Sequence, residues 1–315
     1  MHKVRPFSER LHAAMSEKRC ALVVGLDPRM ELLPEEVVTS SRAQHRDNLR
    51  AAADSVLKFN MGIIDAVADI VPAIKPQLAF YEQLGVYGID AFEQTAKYAN
   101  SKGLLVIADG KRNDIGSTAA GYADAYLGQT GLWEGQTAWP LPVDALTVNP
   151  YLGSDGIVPF VDAAKIYGTG LFVLVKTSNP SSSEIQNLRC NGKHIYEIVG
   201  ELVSEWGKPL IDSQGYSGVG AVVGATFPAE AENLRKLMPH TLFLVPGFGA
   251  QGGSAKDVVP CFNSDGLGAI VNSSRDIIFA FRKRGGNYKD AARQSAIDSR
   301  DSINKALKEE GKIAW

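Results

Sequence analysis

Asp109, Lys111 and Asp114 stand in an Asp-x-Lys-x-x-Asp spacing within the segment Ile107-Ala108-Asp109-Gly110-Lys111-Arg112-Asn113-Asp114-Ile115-Gly116-Ser117-Thr118. The apolar run Leu104-Leu105-Val106-Ile107-Ala108 leading into it reads as a buried parallel strand. On an extended backbone, residues two apart point to one side, so an acid and an ammonium would meet at that strand's carboxyl end. Two readings fit. One is a charge network that does chemistry. The other is a salt bridge where a core strand enters solvent, contributing only ~0–1 kcal/mol.

The other strand ends bear on that choice. Short apolar runs recur at 21–26, 71–74, 104–108, 145–148, 171–175, 219–223, 242–245 and 267–271. The first ends in Asp27, the second in Lys75, the fourth near Asn149 and the fifth in Lys176-Thr177-Ser178. The seventh enters a glycine-rich stretch, and the eighth ends in Asn272-Ser273-Ser274-Arg275. Buried ionisable groups are costly unless paired, so acids and lysines alternating around one rim would have to neutralise one another. A structural ring of salt bridges remains the alternative to a catalytic network.

The intervening stretches show helical periodicity. Leu49, Ala52, Ala53, Val56, Ile63, Val67 and Ile70 keep the three-to-four spacing, with Asn60 as one polar interruption. Ser154 is expected to cap a helix carrying Ile157, Phe160, Val161 and Ala164, and Gly168 to stop it. Thr226, with Pro228 just inside, is expected to open another helix with Ala231, Leu234 and Leu237 inward. Eight strands alternating with helices argue for a (β/α)8 TIM barrel, with a doubly wound open sheet as the rival. One domain is expected over residues 1–315, with a solvated helical extension from about residue 285. Polar inserts at 129–142 and 181–193 read as loops.

The stretch Gly247-Phe248-Gly249-Ala250-Gln251-Gly252-Gly253 contains a G-x-G-x-x-G match after a strand. A dinucleotide fold would then need an acid at the next strand's end, where this chain has Asn272-Ser273-Ser274-Arg275. Amides freed of side chains, followed by an arginine at a helix start, suit a phosphate instead. A plain flexible turn is the bland alternative.

Composition sets the frame. The 33 basic and 35 acidic residues leave a net charge of −2, so no nucleic acid or other polyelectrolyte partner is implied. Cys20, Cys190 and Cys261 lie far apart without metal-type spacing, which fits a reduced compartment. The first ten residues carry no apolar leader, and no run approaches the ~18 residues of a membrane span. A soluble cytoplasmic protein is expected. None of His2, His12, His45, His194 and His240 is assigned a role as a base.

The segment from Asp109 to Thr118 closely resembles the active-site signature of the orotidine 5′-phosphate decarboxylase family. The likeness runs from about residue 7 to residue 284 and is similar to the longer bacterial-type subfamily through Lys75-Pro76-Gln77-Leu78-Ala79-Phe80-Tyr81-Glu82 and Val245-Pro246-Gly247-Phe248-Gly249-Ala250-Gln251-Gly252. D-x-K-x-x-D alone is shared with related sugar-phosphate lyases; the combination is far more specific. The resemblance implies that Asp27 and Lys75 contact ribose hydroxyls and that Asp109 and Lys111 flank the reacting carbon. It implies that Asp114 and Thr118 reach the neighbouring subunit's site in a homodimer. Ser178 would read the pyrimidine edge, and Gln251 and Arg275 would hold the phosphate. The stretch after strand seven is short, which makes the insert at 181–193 a candidate cover for the base. The implied reaction converts orotidine 5′-phosphate to UMP and CO2, with Lys111 as electrostatic stabiliser and proton donor and with no metal or organic cofactor.

Three rivals remain. A metal-dependent decarboxylase or aldolase on the same barrel would place an acid near the end of strand two, where this chain has Lys75. A Schiff-base aldolase would use Lys75, Lys111 or Lys176, although a charged lysine between acids is a poor amine nucleophile. A catalytically silent nucleotide-binding protein would keep the glycine stretch and Arg275 but would not need the lysine network.

Overall fold

Runs of branched apolar residues, buried on both faces, form the parallel strands that such runs favour. In the computed structural model, which describes residues 5–249 and 252–315, there are eight of these. They are β1 (Leu22–Leu26), β2 (Ala73–Pro76), β3 (Leu105–Arg112), β4 (Ala145–Val148), β5 (Gly170–Lys176), β6 (Ser217–Val223), β7 (Thr241–Val245) and β8 (Ala269–Ser273). Each pairs in parallel with its neighbours in chain order, and β8 returns to β1 through Leu22↔Val271, closing a barrel. Closure removes the open sheet from consideration. All eight apolar runs read from the sequence became strands of this (β/α)8 barrel.

The helix Asn48–Val67 follows the apolar stripe, with Ala53, Val56, Ile63 and Val67 buried; Leu49 stays exposed. Its polar interruption is satisfied: Asn60 Nδ2 donates to the Tyr81 hydroxyl at 2.9 Å and to Thr95 Oγ1 at 3.2 Å. Both expected caps differ from the sequence reading. A 3-10 turn, Gly153–Gly156, consumes Ser154, whose hydroxyl accepts the Trp206 indole N–H, so the helix Val158–Tyr167 starts later. Gly168 does end that helix, at φ 69°. Phe227, not Thr226, precedes the helix Pro228–Leu237, and the Thr226 hydroxyl donates to the Ser178 carbonyl. Local capping rules lost in both cases to longer-range contacts.

The two inserts are more ordered than plain loops. Each contains a two-residue antiparallel pair: Thr130–Gly131 with Thr137–Ala138, and Arg189–Cys190 with Lys193–His194. His194 then forms a capping box with Glu197 at the start of the helix Ile195–Gly207. Toward the end of the chain, the helix Tyr288–Glu309 is not simply solvated. Tyr288, Ala292, Ala296, Ile303 and Leu307 are buried, and Arg293 bridges to Asp69 beside the helix Asn48–Val67.

That burial yields a stability test. Leu307→Ala should cost ~2–5 kcal/mol in urea unfolding, the range for truncating a core leucine. A loss within ~0.5 kcal/mol would mean that this helix is a surface appendage.

Candidate active site

The barrel's carboxyl-end mouth opens onto a cavity of about 450 Å³, within the usual size of a small-molecule site. Asp27, Lys75, Asp109, Lys111, Ser178 and Arg275 all line it. Strand ends thus bring together six of the residues singled out in the sequence.

Asp109 is the hub. Its Oδ2 accepts from Lys75 Nζ at 2.7 Å and Gln77 Nε2 at 3.0 Å. Its Oδ1 accepts from Lys111 Nζ at 2.6 Å and the Thr147 hydroxyl at 2.8 Å. Burial by itself would raise the carboxyl's pKa. The two ammonium groups and their hydrogen bonds outweigh it and hold Asp109 well below the usual carboxylate range. The same balance acts on Lys75, which burial would neutralise but which Asp109 and Asp27 hold above the ordinary lysine value. Lys111 differs in exposure: its side chain is 45% accessible, against 5% for Lys75. The free side of its ammonium faces the cavity.

The backbone explains how Asp109 and Lys111 meet. They do not alternate along a regular strand. The pairing of β3 with β4 shifts register between Ala108 and Arg112, and Lys111 adopts φ 47°, rare for a residue with a side chain. The Lys111 N–H donates to Thr147 Oγ1 at 3.0 Å, so one threonine holds both the strained backbone and the hub carboxylate. Sequence reading missed Thr147 and Gln77. Thr147 is the one polar residue in an otherwise apolar β4, and Gln77 lies two residues beyond Lys75 on the same side; both signals were present.

The remaining wall is polar. Asp27 lines the cavity, and its Oδ1 is buried without a hydrogen-bond partner among the described residues. Arg275 is exposed at the mouth and has no acidic partner among the described residues. In the described part of the glycine stretch, Gly249, Gly252 and Gly253 donate to the Gly253, Gly249 and Gly247 carbonyls, so those amides are not free for an anion. Gln251 lies outside the described residues. Lys176 is not a cavity residue, and its ammonium is buried against Asn187. Asp114 and Thr118 do not line their own chain's cavity. Asp114 accepts the Ile115 N–H, and Thr118 is exposed on the helix Gly116–Leu127. Among the described residues, no three His, Cys, Asp or Glu side chains group to hold a metal, and no helix is long and apolar enough to cross a membrane.

A closed parallel barrel with a lysine–aspartate network facing an arginine across its carboxyl mouth defines the class, a (β/α)8-barrel enzyme. The profile of the Orotidine 5'-phosphate decarboxylase / HUMPS family matches residues 21–285. The chain is 47% identical over 304 residues to an orotidine 5'-phosphate decarboxylase of Rhodopirellula baltica, covering 94% of this chain and 98% of that one. It is 42% identical over 306 residues to the Caldicellulosiruptor bescii protein of that name, covering 96% and 99%. The solved structure of Leishmania donovani OMP decarboxylase superposes with a TM-score of 0.74 at 29% identity, covering 96% of this chain and 98% of that one. The chain belongs to the orotidine 5′-phosphate decarboxylase family.

The hub carries a pH prediction. A carboxyl depressed in the folded state contributes stability above its unfolded pKa of ~3.9 and loses it as pH falls toward the folded value. Asp109→Asn leaves Lys75 without its nearest counter-charge and should cost ~3–5 kcal/mol at pH 7. In denaturant titrations the gap from wild type should narrow only below about pH 4. A gap that is constant down to pH 2 would remove Asp109 from the charge balance.

Proposed function

We propose that this chain decarboxylates orotidine 5′-phosphate, the activity its relatives' names carry, yielding UMP and CO2 in pyrimidine biosynthesis. The observation that carries the reading is Lys111, an ammonium held 2.6 Å from an ionised carboxylate with its other side on the cavity. When the C6–carboxylate bond breaks, its electron pair stays on C6 with no conjugated sink. The Lys111 ammonium stabilises that charge and then donates the proton that takes the place of CO2, regaining one from solvent. Asp109 fixes the Lys111 ammonium in place, while Lys75 keeps Asp109 ionised and the Thr147 hydroxyl holds it in position.

The rest of the cavity suits the rest of the substrate. Asp27 and Lys75, which both line the cavity, take the ribose hydroxyls. Ser178 meets the pyrimidine edge, and Arg275 with Gln251 takes the phosphate. Binding energy from that distant phosphate can organise the site for the chemical step. The scheme calls on no metal or organic cofactor, and Lys75 stands at the β2 end where metal-dependent relatives of this barrel would carry an acid. We place the chain in the cytoplasm as a single catalytic domain, with the helix Tyr288–Glu309 as part of its shell.

Asp114 and Thr118 have a role here only in a homodimer with shared sites. The surface around them supports one: Ile115 is 52% exposed, Tyr151 81% and Leu152 44%. Leu152 and the Asp114 carbonyl both pack against Gly156, so this apolar patch adjoins the loop that must reach across.

Protein treated with EDTA should still convert orotidine 5′-phosphate to UMP by ultraviolet assay. Lys111→Ala should lose turnover by several orders of magnitude while its affinity for UMP changes little. Activity that disappears on chelation and returns with a divalent ion would reject the scheme, as would a Lys111→Ala enzyme with near-normal turnover.

Subunit sharing has its own test. In a hybrid of Lys111→Ala and Asp114→Ala chains, one site receives both lesions and the other neither. Random exchange gives about half hybrids, so roughly a quarter of wild-type activity should return on co-refolding. Hybrids confirmed by mass spectrometry that stay inactive would place Asp114 outside the partner's site.

A further inference from the structure

Lys176 and Gln186 take no part in the chemistry above, yet their contacts meet at one wall of the cavity. Lys176 ends β5, is fully buried, and has no carboxylate within ion-pair distance among the described residues. Its Nζ donates to Asn187 Oδ1 at 2.6 Å and Ser182 Oγ at 3.4 Å. It lies over the Phe227 ring at 4.4 Å and the Tyr196 ring at 5.4 Å. Burial depresses its pKa, with the Glu230 charge opposing. A buried ammonium without an acid costs several kcal/mol unless neutral acceptors and ring faces replace its water. Here both acceptors come from the insert after β5, so the cation ties that insert to the barrel.

Beside Asn187, Gln186 turns back to the strand end. Its Oε1 accepts the Thr177 N–H at 3.0 Å and its Nε2 donates to Thr177 Oγ1 at 2.8 Å. Thr177 Oγ1 in turn donates to Asn179 Oδ1 at 2.7 Å. The next residue, Ser178, is pressed from the far side by Gly224, where an added Cβ would sit 2.9 Å from the Ser178 Cα, Cβ and N. The strand end is therefore gripped between a glycine of the barrel and a side-chain amide of the insert. Thr177, Ser178 and Gln186 all line the cavity.

We propose that Gln186 is a positioning residue: its two-point hold on Thr177, backed by the Lys176–Asn187 anchor, sets the Ser178 wall and so favours ligands that carry a pyrimidine over sugar phosphate alone. The inference rests on the assignment of Ser178 to the base. Gln186 is half-buried, so alanine there removes the clip without opening the core.

The test compares UMP with ribose 5-phosphate, which lacks the base, in binding titrations alongside steady-state kinetics. Gln186→Ala should weaken UMP about tenfold, or ~1.4 kcal/mol, and raise KM for orotidine 5′-phosphate more than it lowers kcat. Ribose 5-phosphate binding should stay within about twofold. Gln186→Glu, which keeps an acceptor for the Thr177 N–H, should recover part of the loss. Lys176→Met should repeat the pyrimidine-selective defect. Equal weakening of both ligands would mean a merely structural role, and unchanged UMP affinity in Gln186→Ala would mean no role; either overturns the proposal. Wild-type protein that neither binds UMP nor turns over would instead overturn the decarboxylase reading, and this inference with it.

Discussion

Everything at this mouth depends on keeping one carboxylate ionised between two lysines with little water. Lys75, Asp109, Lys111 and Asp27 carry two positive and two negative charges when all are ionised, which sum to zero. That neutrality makes the cluster tolerable, because an unpaired charge there would cost several kcal/mol. It also fixes the fold requirement. Lys75, Asp109, Lys111 and Thr147 come from β2, β3 and β4, adjacent parallel strands whose register brings them within hydrogen-bond distance. Asp27 follows the neighbouring β1, and closure sets β8, with Arg275 just beyond its end, beside β1. The chemistry of the rim and the closure of the sheet are one constraint.

The strained turn at Lys111 follows from the same demand. A regular strand would aim Asp109 and Lys111 to one side but leave the spacing of their charged ends to side-chain rotamers. The register shift and positive φ place the ammonium 2.6 Å from the carboxylate, and the Thr147 hydroxyl secures that conformation from the neighbouring strand. Strain at such a site persists only where surrounding contacts over-determine it. The barrel supplies them, and in the proposed reaction that rigidity spares Lys111 reorganisation as charge develops on C6.

Much of this was legible in the residues. Strands buried on both faces read as apolar runs, and the charged residues closing β1, β2 and β3 stood out against them. The capping residues were not legible, because Ser154 and Thr226 are claimed by Trp206 and Ser178, which are distant in sequence. Thr147 carried a signal, the one polar residue of β4, but a weak one, because threonine is also an ordinary strand residue. The amides of the glycine stretch looked available because their mutual hydrogen bonds depend on a turn geometry that composition does not specify. The buried face of the helix Tyr288–Glu309 was diluted by charged residues on its other side, and only the packed neighbour shows which side matters.

A division of labour follows from where each group is anchored. The charge network sits on strand ends, which the closed barrel holds rigidly. Arg275 opens the short helix after β8, and the Gln186 clip and Asp114 lie in connections that follow strand ends, outside the strands themselves. A reaction that needs fixed charges at C6 and adaptable grips on base and phosphate is suited to that arrangement. The remote grips can supply binding energy that holds the substrate against a network already in place. In the proposed reaction the lysine supplies the stabilisation of charge and the connections hold base and phosphate so that C6 meets it, which is why a half-buried glutamine outside the charge network can matter to substrate binding.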